Sequence, residues 1–365
     1  MGKHKRNKRN QKARHDPVAN PESSSKAEDG KSKILPLITK LKSSVPNDKS
    51  MAIGVINVLA EDKRMREMLL TEDVITVVME HCLNDSNDEI VVESFGLLRN
   101  LVIEEGYDVI RFLWENNIWT ALESSLEKIN TSFKYLIENG VAKEKDKSKV
   151  QLLFDFSENI FALVIMLITS AEDIFDAIFG KIDSILEFIL LLIDSHVEGK
   201  PKISTGLFNT LLEFIYQLST ESVPFVEKLQ NFNWEKVSSF LANNESTPTS
   251  RIYYNGIYFS LVEIILQPTD QLKKEELMRE ILTNLSKAIK EGGEEAVGFD
   301  VGCDIIATIC EYLATNESNP DEPAKLTNET LQLIEQIGNG LAEKSEDESA
   351  ASALNNLQVV LEICK

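Results

Sequence analysis

Residues 91–106 have the sequence VVESFGLLRNLVIEEG, and the pattern of this stretch predicts the fold. Its main apolar residues recur at helical spacing, at Val91, Phe95, Leu98 and Leu101. Further apolar residues widen this stripe, and Gly106 supplies a stop because glycine readily enters the left-handed conformation that closes a helix. A helix that is apolar on most sides must be covered on most sides. The stretch therefore predicts the innermost helix of a repeat within a stack.

The same pattern recurs along the chain. Four stretches can be overlaid, AIGVINVLAED (52–62), SFGLLRNLVIE (94–104), IFALVIMLITS (160–170) and LLEFIYQLSTE (211–221). The residue before the closing Leu or Val is in turn Asn57, Asn100, Met166 and Gln217, at spacings of 43, 66 and 51 residues. Armadillo and HEAT units have about 40–47 residues. Because no alternating strand pattern accompanies them, the sequence predicts an all-α, armadillo/HEAT-type superhelical solenoid.

We expect three segments. Residues 1–33 form a disordered basic tail, residues 34–245 an armadillo-repeat domain, and residues 246–365 a set of HEAT-like helices with an acidic loop. A polar insert at 130–149 accounts for the long second spacing, and such inserts often lie on the binding face of a solenoid. Because the last predicted helix has no polar closing helix after it, we expect the sequence to stop inside a repeat or a partner to cover its end.

Charge is distributed unevenly. Residues 1–33 carry ten Lys or Arg against four Asp or Glu, a net charge of +6, so the remainder of this −21 chain carries −27. An acidic body attracts basic partners and repels the phosphates of nucleic acids, so we expect no direct nucleic acid binding by the body. Seven of the first fourteen residues are Lys or Arg, which indicates a nuclear localisation signal or a nucleic-acid contact. A solvated tail without a receptor is the alternative.

Other function classes find little support. No uncharged apolar run of about 18 residues occurs, so we expect no membrane partner. The four cysteines lie inside apolar helical segments, as buried reduced thiols of an intracellular protein do. Zinc-ligand pairs, phosphate-binding glycine loops and nucleophile motifs are missing from the sequence. We therefore expect no enzyme, no catalytic residue, no metal and no cofactor.

The N-terminal sequence resembles one family. MGKHKRNKRNQKARHDPVANP followed by KILPLITKL is similar to the opening of the symportins, import adaptors that carry two ribosomal proteins of the 5S particle. The matching elements are Met1-Gly2-Lys3, Arg14-His15-Asp16-Pro17-Val18 and Ile34-Leu35-Pro36. The family's pair after the basic run is Pro-Tyr or Pro-Leu, and Pro17-Val18 departs from it.

The resemblance implies a nuclear-import adaptor that shuttles between cytoplasm and nucleus and serves assembly of the large ribosomal subunit. It implies that the tail binds a transportin-type importin. The residues of that signal are Lys3, Lys5, Arg6, Lys8, Arg9, Arg14, Pro17 and Val18. It implies that the armadillo groove takes an N-terminal segment of uL18, and that the later helices with the acidic loop hold uL5. The loop carboxylates are Glu343, Glu346, Asp347 and Glu348.

Polar side chains on the inner helices are candidate groove residues. An extended peptide offers unpaired N–H and C=O groups, which Asn57, Asn100 and Gln217 are suited to bind. The alternative for Asn100 is an internal hydrogen bond to another helix. An armadillo scaffold or chaperone cofactor with no import role is the rival function, and deleting the tail discriminates between the two.

Overall fold

The computed structural model describes residues 22–140, 147–242, 246–268, 270–293, 297–315, 322–344 and 347–364. Within these ranges the chain consists of α-helices and turns and has no β-strand, so the all-α prediction is confirmed there. The helices pack on their neighbours in the chain as armadillo-type repeats do. The chain divides into two compact units, and the division falls between Leu97 and Leu98, inside one helix.

Unit 1 contains four helices and the first part of a fifth. They are α1 (Glu22–Leu41), α2 (Pro46–Ala60), α3 (Lys63–Thr71), α4 (Val74–His81) and α5 (Asp88–Glu105). Helix α1 packs against α2, α3 and α4. The fully buried side chains Ile34, Ile53 and Leu69 form its core. Arg66 is buried too, and its guanidinium donates a hydrogen bond to the Ala60 carbonyl at 2.8 Å, which closes the turn between α2 and α3.

Unit 2 contains the rest of α5 and the helices that follow. They are α6 (Tyr107–Glu115), α7 (Ile118–Asn139), α8 (Lys147–Ile168), α9 (Glu172–Phe179), α10 (Ile182–Val197), α11 (Thr205–Glu221), α12 (Val223–Leu229), α13 (Trp234–Leu241), α14 (Pro248–Leu261), α15 (Gln271–Gly292), α16 (Phe299–Ala314), α17 (Asn328–Ala342) and α18 (Glu348–Ile363). A π-helical turn, Val262–Leu266, continues α14. Helix α8 packs on α11, α11 on α14, α14 on α16, and α16 on α18. These five are the inner row of the unit.

Aromatic rings form the core between the first helices of unit 2. Phe133 of α7 stacks on Phe154 of α8 with ring centroids 5.8 Å apart. Phe188 of α10 lies 6.0 Å from Phe133 and 6.3 Å from Phe161 of α8. Phe161 in turn meets Phe214 of α11 edge-on at 6.0 Å. Aromatic pairs in this arrangement stabilise by about 0.5–1.5 kcal/mol each beyond the area they bury. This chain of rings joins four helices and fixes the position of α8 against α11.

Two helix boundaries differ from those that the sequence pattern indicates. Helix α1 begins at Glu22, inside the segment expected to be disordered up to residue 33. Residues 22–33 carry no apolar period, so the pattern gave no signal, although Pro21 before the helix is a residue that often stands at helix starts.

The described parts of the polar insert at 130–149 are mostly helical. Helix α7 continues to Asn139, and α8 begins at Lys147, thirteen residues before the overlaid stretch that starts at 160. Ile129 and Phe133 are fully buried and Leu136 nearly so, at the four- and three-residue steps of a helix. Asn130, Thr131, Ser132 and Lys134 stand between them, and this polar composition concealed the period. Of the insert's lysines, Lys143 and Lys145 lie outside the described residues.

Among the described helices, α8 alone has the length and composition to cross a membrane. Its most apolar 18 residues are 56% buried within the protein, which favours a core helix as the reason for that composition. Core helices of repeats have this character because neighbours cover them on most sides.

Candidate functional site

Partly exposed side chains recur at helical steps along α8 and α11. On α8 they are Glu158, Ala162 and Met166, and on α11 they are Asn209, Glu213 and Gln217. Residues four apart lie above one another on a helix, so each set forms a line on one face. Asn100 and the more exposed Ile103 form the corresponding line at the end of α5. We call these eight residues the inner strip. The inner strip contains two carboxylates, two Asn and one Gln, and no Lys or Arg.

Glu158 lies between two other helices. Its Oε1 is 3.8 Å from Nη1 of Arg99 on α5, and the carboxylate rests against Gly206 in the first turn of α11. Partial burial raises the pKa of Glu158, and the charge of Arg99 offsets part of that rise. Asp155, one turn earlier on α8, adds a further upward contribution to the pKa. A carboxylate that has lost water in this way interacts more strongly with a cation than a solvated one does.

Glu213 is the second carboxylate of the inner strip. Partial burial raises the pKa of Glu213, and the hydrogen bond with the Tyr253 hydroxyl lowers it in part. Tyr253 itself lies on α14 and is buried, and burial together with the charge of Glu213 raises the pKa of this phenol. The tyrosine therefore stays a neutral donor to the carboxylate. One turn before Glu213, the side-chain Oδ1 of Asn209 accepts a hydrogen bond from the Thr247 hydroxyl at 3.1 Å.

Asn100 and Gln217 are partly exposed at the expected face. The side-chain Oδ1 of Asn100 accepts hydrogen bonds from Nε and Nη2 of Arg99 at 3.4 and 3.2 Å. Its partner thus comes from its own helix, and the hydrogen bond to another helix that was the alternative is not formed within the described residues. The Gln217 amide and the Nδ2 of Asn100 have no hydrogen-bond partner among the described residues. Those groups remain available to a peptide backbone.

Asn57 does not behave as expected. Its Nδ2 donates a long hydrogen bond, 3.5 Å, to the Glu93 carbonyl of α5, while its Oδ1 is buried without a partner in the described structure. The next residue, Val58, is 66% exposed. A gapless overlay of the two stretches pairs Val58 with Asn100 and pairs Asn57 with Arg99. The position that corresponds to Asn100 is therefore Val58, one residue after Asn57.

The remaining expected sites divide into two groups. The residues of the predicted importin signal lie outside the described residues, namely Lys3, Lys5, Arg6, Lys8, Arg9, Arg14, Pro17 and Val18. The described residues of the acidic loop lie at the ends of two helices. Glu343 follows α17 directly, Glu348 is the first residue of α18, and the Asp347 carboxylate caps α18 by accepting from the Ala350 N–H at 3.0 Å. Glu346 lies outside the described residues.

The inner strip ends in a shallow hollow of about 260 Å³. It is lined by Val102, Ile103, Tyr107, Ile110, Met166, Thr169 and Ser170. Sequence reasoning missed this hollow and both strip carboxylates. The overlay carried a signal for Glu213. Four residues before Asn100 and Gln217, the aligned residues of the four stretches are Gly54, Gly96, Ala162 and Glu213. Small residues in three of those positions indicate a face where a backbone can approach closely.

Comparison with known proteins identifies the family. Over 274 residues the chain is 40% identical to Synchronized import protein 1 of Saccharomyces cerevisiae, which covers 72% of the chain and 43% of that protein. It is 29% identical over 212 residues to Symportin 1 of Chaetomium thermophilum, covering 54% of the chain and 29% of that protein. It is 23% identical over 237 residues to an armadillo repeat protein involved in nucleocytoplasmic transport, Syo2 of Schizosaccharomyces pombe, covering 63% of the chain and 35% of that protein.

No family model matches the chain. The chain spans less than half the length of each of the three relatives. The names of all three relatives refer to import or transport. Syo2 is named as an armadillo repeat protein, and the helices of each unit are consistent with that fold. The chain belongs to the symportin family of armadillo-repeat proteins.

Proposed function

We propose that this chain is a nuclear-import adaptor and escort chaperone for basic ribosomal proteins. Its inner strip binds an extended N-terminal segment of uL18, and its basic tail links the complex to a transportin-type importin. The helices after residue 246 hold uL5 as a second cargo. The chain then shuttles between cytoplasm and nucleus and delivers proteins for assembly of the large ribosomal subunit. Relatives named for synchronised import and nucleocytoplasmic transport support this role.

One observation carries the cargo proposal, namely the two partly buried carboxylates on one face. Glu158 and Glu213 have both lost water, and the inner strip holds no Lys or Arg to neutralise them. Within the described part of the chain, the cation paired with Glu158 is Arg99, whose Nη1 lies 3.8 Å from Oε1, a long distance for a strong ion pair. A basic peptide supplies the missing positive charge and recovers part of the desolvation cost.

The amides of the inner strip suit an extended backbone. The free Nδ2 of Asn100 and the amide of Gln217 supply donors and an acceptor along the strip. Each hydrogen bond to a peptide group contributes about 1 kcal/mol net, so the amides set the position of the peptide and the carboxylates supply most of the attraction. Free ribosomal proteins expose basic surfaces that bind nucleic acids indiscriminately, and a body of charge −27 covers such surfaces well.

Titration of a labelled N-terminal uL18 segment into the purified chain tests the cargo proposal. We expect the double variant Glu158→Gln, Glu213→Gln to weaken binding at least tenfold, with a shallower salt dependence. The matched control is Glu127→Gln, Glu227→Gln, which makes the same change in net charge at exposed positions on α7 and α12. Equal losses in both variants would show that net charge alone attracts the segment, and the strip would then not be the site.

Removal of residues 1–18, or the pair of changes Pro17→Ala and Val18→Ala, tests the importin link. We expect both to abolish nuclear accumulation and capture by a transportin-type importin, while uL18 binding by the body stays the same. If nuclear accumulation and importin capture persist, the chain is an armadillo scaffold or chaperone cofactor whose tail has no import role. A pulldown at low and high salt separates the two arms, because tail and strip carry opposite charge.

A further inference from the structure

We infer that the hollow at the end of the inner strip, where five of seven lining residues are apolar or aromatic, receives one large apolar side chain of the bound basic segment. We infer further that this side chain directly neighbours a Lys or Arg. The inference rests on the proposed function, since it specifies the sequence that the strip selects. It follows from the shape of the hollow, its chemistry and its distance from Glu158.

The hollow owes its shape to the turn between α5 and α6. Gly106 adopts a positive φ of 69°, and its N–H donates to the Val102 carbonyl at 2.9 Å. The chain then enters α6 at once, which places Tyr107 beside Ile103 at the rim of the hollow. Both side chains remain more than half exposed, Ile103 by 58% and Tyr107 by 53%. Two large apolar side chains left open beside a cavity indicate a surface that a partner covers.

The hydroxyl protons of Thr169 and Ser170 are already engaged. The Thr169 hydroxyl donates to the Ile165 carbonyl at 2.9 Å, and the Ser170 hydroxyl donates to the Leu167 carbonyl at 2.7 Å. Both acceptors lie in the last turn of α8, so neither hydroxyl has a proton left for an acceptor group on an occupant. An apolar side chain brings no polar group whose bound water must be replaced.

The volume of the hollow limits the occupant to a single side chain. Pockets for drug-sized ligands measure about 300–1,000 Å³, and this one is smaller, at about 260 Å³, and open to solvent. It cannot enclose a helix or a cofactor. A leucine-sized or aromatic side chain on a backbone held elsewhere fits it, and the adjacent inner strip is the surface that would hold that backbone.

The position of Glu158 fixes the neighbour of the apolar residue. Met166 of the hollow and Glu158 are eight residues apart on α8, about 12 Å along the helix axis. A peptide that contacts α5, α8 and α11 in turn crosses α8 between them. Successive side chains of an extended peptide point to opposite sides, so one points towards the hollow and the next towards Glu158.

Charge around the hollow supports a basic peptide as its occupant. Residues 98–110 contain three acidic side chains, Glu104, Glu105 and Asp108, and one basic side chain, Arg99. A lipid surface of anionic headgroups would be repelled by this rim, whereas Lys and Arg on both sides of the apolar residue are attracted.

Two fluorescein-labelled peptides test the inference by anisotropy on the purified chain. In one, a central Leu lies between two Lys residues, and in the other Ser replaces that Leu. We expect the Leu peptide to bind about tenfold more tightly. Ile103→Ser should remove this preference, and so should Thr169→Phe, which fills the hollow instead of opening it. Ile363→Ser is the matched control, because it makes the same change at an exposed position on α18 and should keep the preference.

The outcomes separate the two proposals. If both peptides bind in a salt-dependent manner and equally well, or if Ile103→Ser leaves the preference intact, the hollow is not a subsite and the basic-peptide proposal still stands. If neither peptide binds at low salt, the proposed function fails and the inference fails with it. Glu158→Gln should weaken both peptides and leave their ratio close to that of the wild-type chain.

Discussion

Gly206 of α11 lies against the carboxylate of Glu158 on α8, and a Cβ at position 206 would overlap Oε2 of that carboxylate. The glycine thus leaves the space into which the carboxylate folds, with Arg99 on its other side. A charged side chain in this position depends on the absence of a side chain on the neighbouring helix. The position of a carboxylate in the inner strip therefore depends on how closely α8 and α11 pack.

Gly206→Ala should separate binding from stability. The added methyl displaces the flexible end of Glu158, so we expect affinity for a basic peptide to fall several-fold. Stability should remain level or rise by up to about 1 kcal/mol, because alanine favours a helix more than glycine does. Urea unfolding and peptide titration measure the two effects. Gly340→Ala is the control, since a Cβ there meets nothing within 4 Å. A parallel loss of stability and affinity would count against the placement of Glu158.

Binding of a basic peptide should weaken on mild acidification. Burial raises the pKa of both Glu158 and Glu213, so these carboxylates become protonated at a higher pH than exposed ones do. Lys and Arg keep their charge over this range, so the loss of attraction comes from the protein. Anisotropy titrations between neutral pH and about pH 5 should show the decline. The double variant with Gln at both positions should show a flat profile, and an unchanged slope would contradict the prediction.

Protonation of those two carboxylates should not unfold the chain. Because their folded pKa values are raised, the native state holds protons that the unfolded chain would release, and the associated stability is present at low pH and lost as pH rises through the folded pKa. Acid therefore releases the peptide before it damages the fold. The far-ultraviolet circular dichroism should remain native at the pH where binding is half lost.

Glu275 has the opposite effect on stability. Burial alone would raise the pKa of Glu275, but the hydrogen bonds from the Thr327 hydroxyl and N–H and the Thr330 hydroxyl outweigh burial and lower it. Its contribution is present above the unfolded pKa of about 4.3 and is lost as pH falls through the folded pKa. We expect Glu275→Gln to cost about 1–3 kcal/mol in urea unfolding at pH 7. The exposed neighbour change, Glu276→Gln, should cost little.

Gly256 is required by close packing between inner helices. A Cβ at this position of α14 would collide with the Tyr216 ring of α11 and lie 2.9 Å from Ile305 Cδ1 of α16. Both neighbours are buried and have no room to move. We expect Gly256→Ala to destabilise the chain by about 1–3 kcal/mol, measured by urea unfolding. Gly340→Ala again serves as the comparison, and similar stabilities in the two variants would refute the prediction.

The helices with wide apolar stripes could be predicted from sequence, and those with interrupted stripes could not. Phe95, Phe161 and Phe214 are at or near full burial, as the overlay of the inner helices predicted. In contrast, the helical stretch around Phe133 was not predicted, because mostly polar residues stand between its apolar positions. Helix α1 begins among residues whose pattern carries no apolar period, so no periodicity in the sequence marks its start.

The candidate site shows a different limit. The overlay singled out Asn100 and Gln217, and both are partly exposed, because helical steps determine which residues lie on one side. It did not identify Glu158 and Glu213, which resemble the many solvated carboxylates of an acidic chain. Their partial burial arises from Gly206 and Tyr253 on other helices, and no spacing within one helix records such contacts.

The division of labour along α8 bears on how such a protein can change over generations. Phe161 and its neighbours hold the helix in place, whereas Ala162 and Met166 are partly exposed. Substitutions at these two positions alter what the face recognises at a small cost in folding free energy. A lineage can therefore follow a drifting cargo sequence one residue at a time, without passing through an unstable ancestor.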